Sequence, residues 1–311
     1  MFEQKNNKVS VKKIARFLES DYSGKNFTIT SASSLTNLKS NSILFFSEHS
    51  NQKFKLKDNI QYDLRNLKKL KNIVIIVTKE IKDKIDIPCI ISKDPRLDFS
   101  RVIMEFFVND EFKPGIHKSV VIDTKEPIGK NVHIGPHCYI GKNVKIENNV
   151  KILSNTSIFG KAVIGSDSII LSNSIIGSEG FSFISDERGF AHFPHLGSIK
   201  IGKNVWIGPN STIEKASIDE TVICDHVKID TLVNIGHNTV IGESSCITAG
   251  SIISGRAKIG KRCYVAPNSV IDVGCQIGDD CLIGTSSLVR TNFPDNSVIS
   301  GSPAKLLRKN D

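Results

Sequence analysis

The clearest hydrophobic pattern in the chain is a six-residue repeat that begins at Ile116. Apolar residues, nearly all of them isoleucine, occupy all 26 repeat positions in three runs, at 116–176, 201–213 and 223–289. Only 39% of the residues are hydrophobic, so chance does not explain the pattern. The repeat breaks twice, at residues 177–200 and 214–222. A fixed period of this kind indicates an array of stacked units.

A period of six predicts a short strand with one buried side chain, followed by a turn. Three such strands make an 18-residue coil, and stacked coils form a parallel β-helix with a rise of about 4.8 Å per coil. Glycine directly follows many of the repeat residues, as at Gly129, Gly135 and Gly260. We expect this turn position to require a positive φ, which glycine adopts without strain.

Residues 1–110 follow a different pattern, typical of a small α/β domain. Apolar spacing predicts a helix with Val11, Ile14, Ala15 and Leu18 on its buried face. Further elements are expected as strands at 27–30, 43–46, 73–77 and 89–91, and as a helix at 96–107. The predicted organisation is an α/β domain at 1–110, a β-helix at 111–290 with an insertion at 177–200, and a short C-terminal tail at 291–311.

Composition and charge limit the classes of function that this protein can have. The 311 residues carry a net charge of +9, of which +7 falls within residues 1–110. This excess favours a phosphate-bearing ligand or an acidic partner, or it is a solvated lysine-rich surface. No basic motif with interleaved aromatic residues suggests nucleic-acid binding. No long apolar run predicts a transmembrane helix or a secretory signal, so a cytoplasmic location is expected.

The seven cysteines and eight histidines suggest no metal site. The number of cysteines is odd and no CxxC occurs, which argues against a disulfide framework and against zinc. His133 and His137 are four residues apart but lie in adjacent repeats, so a zinc-protease helix is excluded. The spacing of a β-helical carbonic anhydrase is not found. We therefore expect neither a metal nor a cofactor.

Three local motifs, taken with this architecture, resemble the UDP-3-O-acylglucosamine N-acyltransferases of lipid A synthesis. The first is Gly-Ser-Glu-Gly-Phe at 177–181 with Phe-Pro-His-Leu-Gly at 193–197, which together bound the first interruption. The second is Ser-Thr-Ile-Glu-Lys at 211–215, followed by Asp-Glu-Thr at 219–221. The third is Ile-Gly-His-Asn at 235–238. The resemblance covers nearly the whole chain.

The resemblance implies a left-handed parallel β-helix and a homotrimer with active sites between neighbouring chains. It also implies that a 3-hydroxyacyl group moves from acyl carrier protein to the 2-amine of a UDP-linked, 3-O-acylated glucosamine. Such a reaction needs a base with a pKa near neutrality and a donor for the tetrahedral oxyanion. We expect His237 to be the base, because it lies two residues after the inward Ile235 and should leave the helix at a corner. Gly255 lies 18 residues further on, and its backbone N–H is the expected oxyanion donor.

The same resemblance suggests residues that bind substrate. Phe45 and Phe46 either occupy the position of a ring that stacks on uracil or are part of the core of their strand, and the Asn-Pro-Lys-Tyr that usually follows is replaced by Glu-His-Ser-Asn at 48–51. The remaining expected contacts are Phe181 and His192 in the insertion, and Asn234 and Asn238 beside the predicted base.

Two other functions remain open. The tail is short and contains Gly-Ser-Pro-Ala-Lys at 301–305, an ending similar to that of acyl-CoA-dependent sugar acetyltransferases. The first alternative is therefore an acyl-CoA-dependent N-acyltransferase acting on another nucleotide-linked amino sugar of surface glycans. The second is a β-helical scaffold without catalysis, against which the spacing of His237 and Gly255 argues.

Overall fold

A computed structural model describes residues 2–5, 7–20, 22, 24–46, 70–83 and 85–310. The chain divides into two compact units, Met1–Glu111 and Phe112–Asp311. This division falls one residue after the predicted domain boundary. Within the described ranges, no helix is long and apolar enough to cross a membrane.

The first unit is built on a four-stranded parallel sheet. Its strands, in spatial order, are Ser31–Ala32, Ser42–Phe45, Ile73–Val77 and Cys89–Ile91. Two small antiparallel pairs accompany the sheet: Phe2–Gln4 with Val108–Asp110, and Val9–Ser10 with Thr28–Ile29. The strands at 73–77 and 89–91 match the predicted ranges.

Helices cover this sheet with the apolar faces that the sequence predicts. The described helices are Val11–Phe17, Lys79–Lys82, Pro95–Val102 and a π-helical turn at Ile103–Phe107. The first helix begins at Ser10, whose hydroxyl accepts a hydrogen bond from the Lys13 backbone N–H. It buries Val11, Ile14 and Ala15, as predicted.

The second unit is a three-sided parallel β-helix, which confirms the fold predicted from the six-residue repeat. Residues 112–310 are all described, and their strands form three sheets, here called face 1, face 2 and face 3. Face 1 has nine strands: Val121–Ile122, Tyr139–Ile140, Ser157–Ile158, Ile175–Ser178, Thr212–Glu214, Asn234–Ile235, Ile252–Ile253, Val270–Ile271 and Leu288–Val289. Face 2 has seven: Val144–Ile146, Lys161–Ile164, Ser198–Ile201, Glu220–Ile223, Val240–Ile241, Lys258–Ile259 and Gln276–Ile277.

Face 3 has eleven strands and includes the end of the chain. They are Gly115–Ile116, His133–Ile134, Lys151–Ile152, Ile169–Ile170, Trp206–Ile207, Lys228–Ile229, Cys246–Ile247, Tyr264–Val265, Leu282–Ile283, Ser297–Gly301 and Ala304–Lys309. The last two pair antiparallel, so the predicted tail is the final edge of the helix rather than a free segment. Such a terminal element covers the last coil of a repeat array.

The repeat residues form the core, stacked one coil above the next. Ile235 pairs with Ile253 across an 18-residue coil, and both are fully buried. The prediction of inward columns is therefore confirmed for the body of the helix. Ile116 and Ile122, in the first coil, are instead 48% and 38% exposed, because no coil stacks below them.

The glycines that follow the repeat residues have a different role from the one expected. None of Gly129, Gly135 and Gly260 has a positive φ. The left-handed conformation falls two residues later, for example at Asn131 (φ 56°) and Asn143 (φ 60°). Glycine is needed because successive coils approach closely: a Cβ at Gly260 would lie 2.5 Å from the Gly278 carbonyl carbon. The prediction of a positive φ at these glycines was wrong.

Both interruptions of the repeat leave the helix at one corner, between face 1 and face 2. The coil runs through Ile175–Ser178 and resumes at Ser198–Ile201, so residues 179–197 form an insertion that contains the hairpin Phe183–Asp186 and Gly189–His192. The next coil loops out between Thr212–Glu214 and Glu220–Ile223 at the same place. We call this edge the insertion corner.

Candidate active site

His237 lies at the insertion corner, one coil beyond the second loop. It follows the face 1 strand Asn234–Ile235 and precedes the face 2 strand Val240–Ile241. Its side chain is half-buried. The six-residue period therefore places this histidine beside the two segments that leave the helix.

The hydrogen bonds of His237 select one tautomer of its imidazole. The Asn238 side-chain oxygen accepts a hydrogen bond from the Ser217 backbone N–H (2.9 Å), so this atom acts as an acceptor. His237 Nδ1 lies 3.0 Å from the same oxygen and must therefore carry the proton. The Ser217 hydroxyl lies 3.3 Å from Nδ1. Nε2 is left with its lone pair, which is the form that a general base requires.

Gly255 packs against the His237 ring at Nε2. A Cβ built on Gly255 would be 2.6 Å from His237 Nε2, so only glycine leaves the ring its place. Gly255 itself is buried, and its backbone N–H donates to no acceptor among the described residues. The predicted base and the predicted oxyanion donor are thus neighbours.

Glu214 and Gly236 hold the histidine backbone in place. The His237 N–H donates to Glu214 Oε2 (3.0 Å). Burial raises the pKa of the Glu214 carboxyl group, and the hydrogen bond from His237 opposes that shift. A Cβ at Gly236 would lie 2.5 Å from the Gly255 nitrogen, so two coils meet here at glycine on both sides.

The insertion is tied to the same corner by Glu179. Its carboxylate lies 2.6 Å from Lys215 Nζ and accepts a hydrogen bond from the His195 backbone N–H (2.8 Å). The pKa of Glu179 is lowered: burial raises it, but the contacts with Lys215 and His195 outweigh burial. One charged residue therefore joins both ends of the insertion to the coil before His237.

His195 is the insertion residue that lies against the candidate base. Its ring centroid is 5.0 Å from that of His237, with an interplanar angle of 61°. Its exposure is 1%. Burial, and then the proximity of His237, lower the pKa of His195. Of the two histidines in the insertion, His192 was the predicted substrate contact; the one that meets the candidate base is His195, in the Phe-Pro-His-Leu-Gly end of the insertion.

The other predicted β-helix residues lie at varied distances from this cluster. Asn238 contacts His237 directly, as described above. Asn234 lies on face 1, between Thr212 and Ile252 of adjacent coils. Phe181 is 91% exposed and stacks beside Phe183 (4.9 Å between ring centroids). His192 is exposed and lies 3.7 Å from Glu179 Oε2.

Phe45 and Phe46 are not placed as exposed stacking rings. Phe46 is 7% exposed and packs in a hydrophobic cluster with Leu44 and Ile75. The Phe45 ring is partly buried and lies 5.0 Å from the Phe99 ring. Both belong to the core of the first unit, which corrects the expectation that they stack on a base. Residues 48–51, which bear on the same expectation, lie outside the described residues.

No group of three histidine, cysteine, aspartate or glutamate side chains in the described ranges is arranged to hold a metal ion. The seven cysteines are all free thiols. Burial raises the pKa of Cys263 to about 12 and that of Cys89 to about 11, which makes both poor nucleophiles.

The six-residue repeat, the three-sided coil and the insertions at one corner are together typical of a hexapeptide-repeat β-helix protein. Residues 116–181 match the family described as GMPPB C-terminal domain, and residues 256–291 and 274–301 match the hexapeptide repeat of succinyl-transferase. The solved structure of a Francisella novicida UDP-N-acetylglucosamine acyltransferase is similar with a TM-score of 0.58 and 25% identity, over 63% of this chain and 71% of that one.

Curated relatives are UDP-3-O-acylglucosamine N-acyltransferases. The chain is 56% identical to that of Syntrophus aciditrophicus over 129 residues, which are 42% of this chain and 36% of the relative. It is 46% identical to the second such protein of Legionella pneumophila strain Lens over 79 residues, 25% of this chain and 23% of the relative. The similarity thus spans about a quarter to a third of these relatives' length.

Proposed function

We propose that this protein is an N-acyltransferase that moves a 3-hydroxyacyl group from acyl carrier protein to the 2-amine of a UDP-3-O-acyl-glucosamine. The observation that carries the proposal is His237, whose Nδ1 is engaged by Asn238 and Ser217 and whose Nε2 is left free, packed against Gly255. The names of the curated relatives support the substrate class.

The corner supplies the two groups that acyl transfer needs. His237 Nε2 takes the proton from the attacking amine, while Asn238 and Ser217 keep Nδ1 protonated and the ring oriented. The new C–N bond converts the thioester carbonyl into a tetrahedral oxyanion, which accepts a hydrogen bond from the Gly255 N–H. When the C–S bond breaks, the proton on Nε2 passes to the leaving thiolate. The amide and the free thiol of the carrier are the products.

The donor and the assembly belong to the same proposal. The excess positive charge of residues 1–110 supports an acidic carrier protein, and contacts of this kind weaken as salt screens them. We propose a homotrimer in which each site is completed by a neighbouring chain, because one corner of one β-helix offers only one wall of a cleft.

The decisive experiment is turnover by the purified full-length chain, followed by mass spectrometry. The expected product is the N-acylated sugar nucleotide from 3-hydroxyacyl carrier protein and UDP-3-O-acyl-glucosamine, with a rate that falls as salt rises. His237→Ala should fold normally, because the side chain is at the corner, and lose about 100-fold or more in kcat. Turnover with short-chain acyl-CoA alone would favour the acyl-CoA-dependent alternative. A His237→Ala variant with the parent rate would refute the base.

A further inference from the structure

His195 is a buried imidazole that the proposed chemistry does not use, and its Nε2 has no hydrogen-bond partner among the described residues. It comes from the insertion, near its return to face 2, and its ring lies edge-on to that of His237 at 5.0 Å. No other histidine ring is stacked on the candidate base in the described part of the chain.

The bond to Gly180 fixes the protonation state of His195. The Gly180 backbone N–H donates to His195 Nδ1 (3.1 Å), so Nδ1 accepts and the single ring proton is on Nε2. A second proton would have to go on Nδ1, where it would face the Gly180 donor. A full charge would also be costly at 1% exposure. The ring is therefore held in one neutral form by geometry.

The His195 ring is closely packed on the side of Gly180. A Cβ at Gly180 would lie 2.6 Å from His195 Cε1 and 2.7 Å from Glu214 Oε2. Glu179 anchors the His195 backbone and is itself paired with Lys215. The charged groups around the two imidazoles are thus Glu179, Lys215 and Glu214, each already engaged in a contact described above.

We propose that His195 is a positioning residue: its neutral ring, fixed by Gly180 and Glu179, holds the His237 imidazole in the orientation that keeps Nδ1 on Asn238 and leaves Nε2 free beside Gly255. This inference rests on the proposed function, since it assigns the insertion a part in placing the base. The neutral His195 ring packs against His237 without adding a charge. It restricts the movement of the His237 ring and leaves the proton on Nδ1.

The test combines nitrogen NMR of the histidine rings with kinetics, on the full chain. In the parent at neutral pH, His237 should show one tautomer, with a protonated Nδ1 and a free Nε2. In His195→Ala, the ring gains freedom, so the two tautomers should average and kcat should fall about 10- to 100-fold with little change in KM. Gly180→Ala should act in the same way, because it displaces His195 from its seat.

The conservative variant and the control separate positioning from general damage. His195→Gln should restore the single tautomer and most of kcat, since its amide oxygen can accept from Gly180 and its amide carries no charge. His226→Asn removes an exposed histidine at a left-handed turn (φ 63°) and should match the parent. A single His237 tautomer with the parent kcat in both His195→Ala and Gly180→Ala would overturn the proposal. If the parent itself turns over no acceptor, the proposed function fails, and the ring signals still decide whether His195 positions His237.

Discussion

At the scale of single residues, the candidate site depends on which nitrogen of the His237 ring carries the proton and which is free of hydrogen bonds. The side-chain oxygen of Asn238 accepts a hydrogen bond from the Ser217 backbone N–H and also contacts His237 Nδ1. This bifurcated acceptor keeps the proton of the neutral ring on Nδ1 and leaves Nε2 open. Gly236 and Gly255 must be glycines, because a side chain at either position would occupy the space where two coils and the His237 ring meet.

Gly255→Ala should abolish most of the activity without unfolding the protein. The new methyl group would lie 2.6 Å from His237 Nε2 and must push the ring out of line, at a cost of about 100-fold in kcat. Steady-state kinetics and a thermal melt measure the two effects separately. The adjacent Ser254→Ala is the matched control. Turnover at the parent rate by Gly255→Ala would mean that the reaction does not depend on the position of His237 Nε2.

At the scale of elements, an ion pair, a buried histidine and the backbone hydrogen bonds of Leu196 and Gly197 link the insertion to the β-helix. Glu179 joins the insertion to Lys215, and His195 fills the space between the insertion and His237. The strands beneath are short, with two to four residues on face 1. Their stability therefore comes from the inward columns and from the ladders between coils.

Docking of the insertion should weaken in mild acid. The pKa of His195 is lowered by burial, so the released insertion binds a proton more readily than the docked one. The contribution is fully present above the ordinary histidine value of about 6.5 and declines as the pH falls below it. Limited proteolysis within residues 179–197 should accelerate between about pH 6.5 and 5. His195→Gln should show no such acceleration; equal acid sensitivity in both proteins would assign it to another group.

Ile253→Ala should destabilise the β-helix by about 2–5 kcal/mol, from lost burial and the cavity left behind. Ile253 is fully buried under Ile235, so the same change should disturb His237 and lower kcat. Denaturant unfolding gives the free energy of unfolding. The neighbouring Ile252→Ala, at a position 42% exposed on face 1, is the control and should cost much less. Equal losses for the two variants would contradict the inward and outward alternation.

At the scale of the whole molecule, one β-helix presents an outer surface with exposed apolar residues. Val121, Ile175 and Ile252 are 54%, 39% and 42% exposed, and all three lie on face 1 beside the insertion corner. Exposed apolar side chains on the face that borders the candidate site favour an interaction surface there. Face 1 is therefore the surface that we expect to meet another copy in the proposed trimer.

Light scattering should give a particle of three 34.2 kDa chains at micromolar concentration. Ile175→Lys, on the exposed side of face 1, should shift the distribution towards monomer and lower activity together, because each proposed site uses two chains. Lys200→Glu, a charge change on face 2, is the matched control. A fully active monomer would rule out the shared site.

Much of the architecture follows from the sequence alone. The six-residue isoleucine period determines a coil of 18 residues, because every third repeat returns to the same column. That arithmetic also makes His237 and Gly255 neighbours. The helix over 11–17 and the strands of the first unit were predicted from local apolar spacing, which decides which side of an element is buried.

Only the tertiary structure decided how the corner is filled. His195 rather than His192 meets His237, because His192 ends the exposed hairpin whereas His195 lies on the buried return to face 2, and no fixed period relates the insertion to the coils. Phe45 and Phe46 are equally apolar in sequence, and packing against Phe99 and the sheet makes both core. The glycines after the isoleucines are required by the distance between successive coils, whereas the left-handed turn falls on the asparagines. Contacts between residues far apart in the chain set these features, and a local pattern carries no information about such contacts.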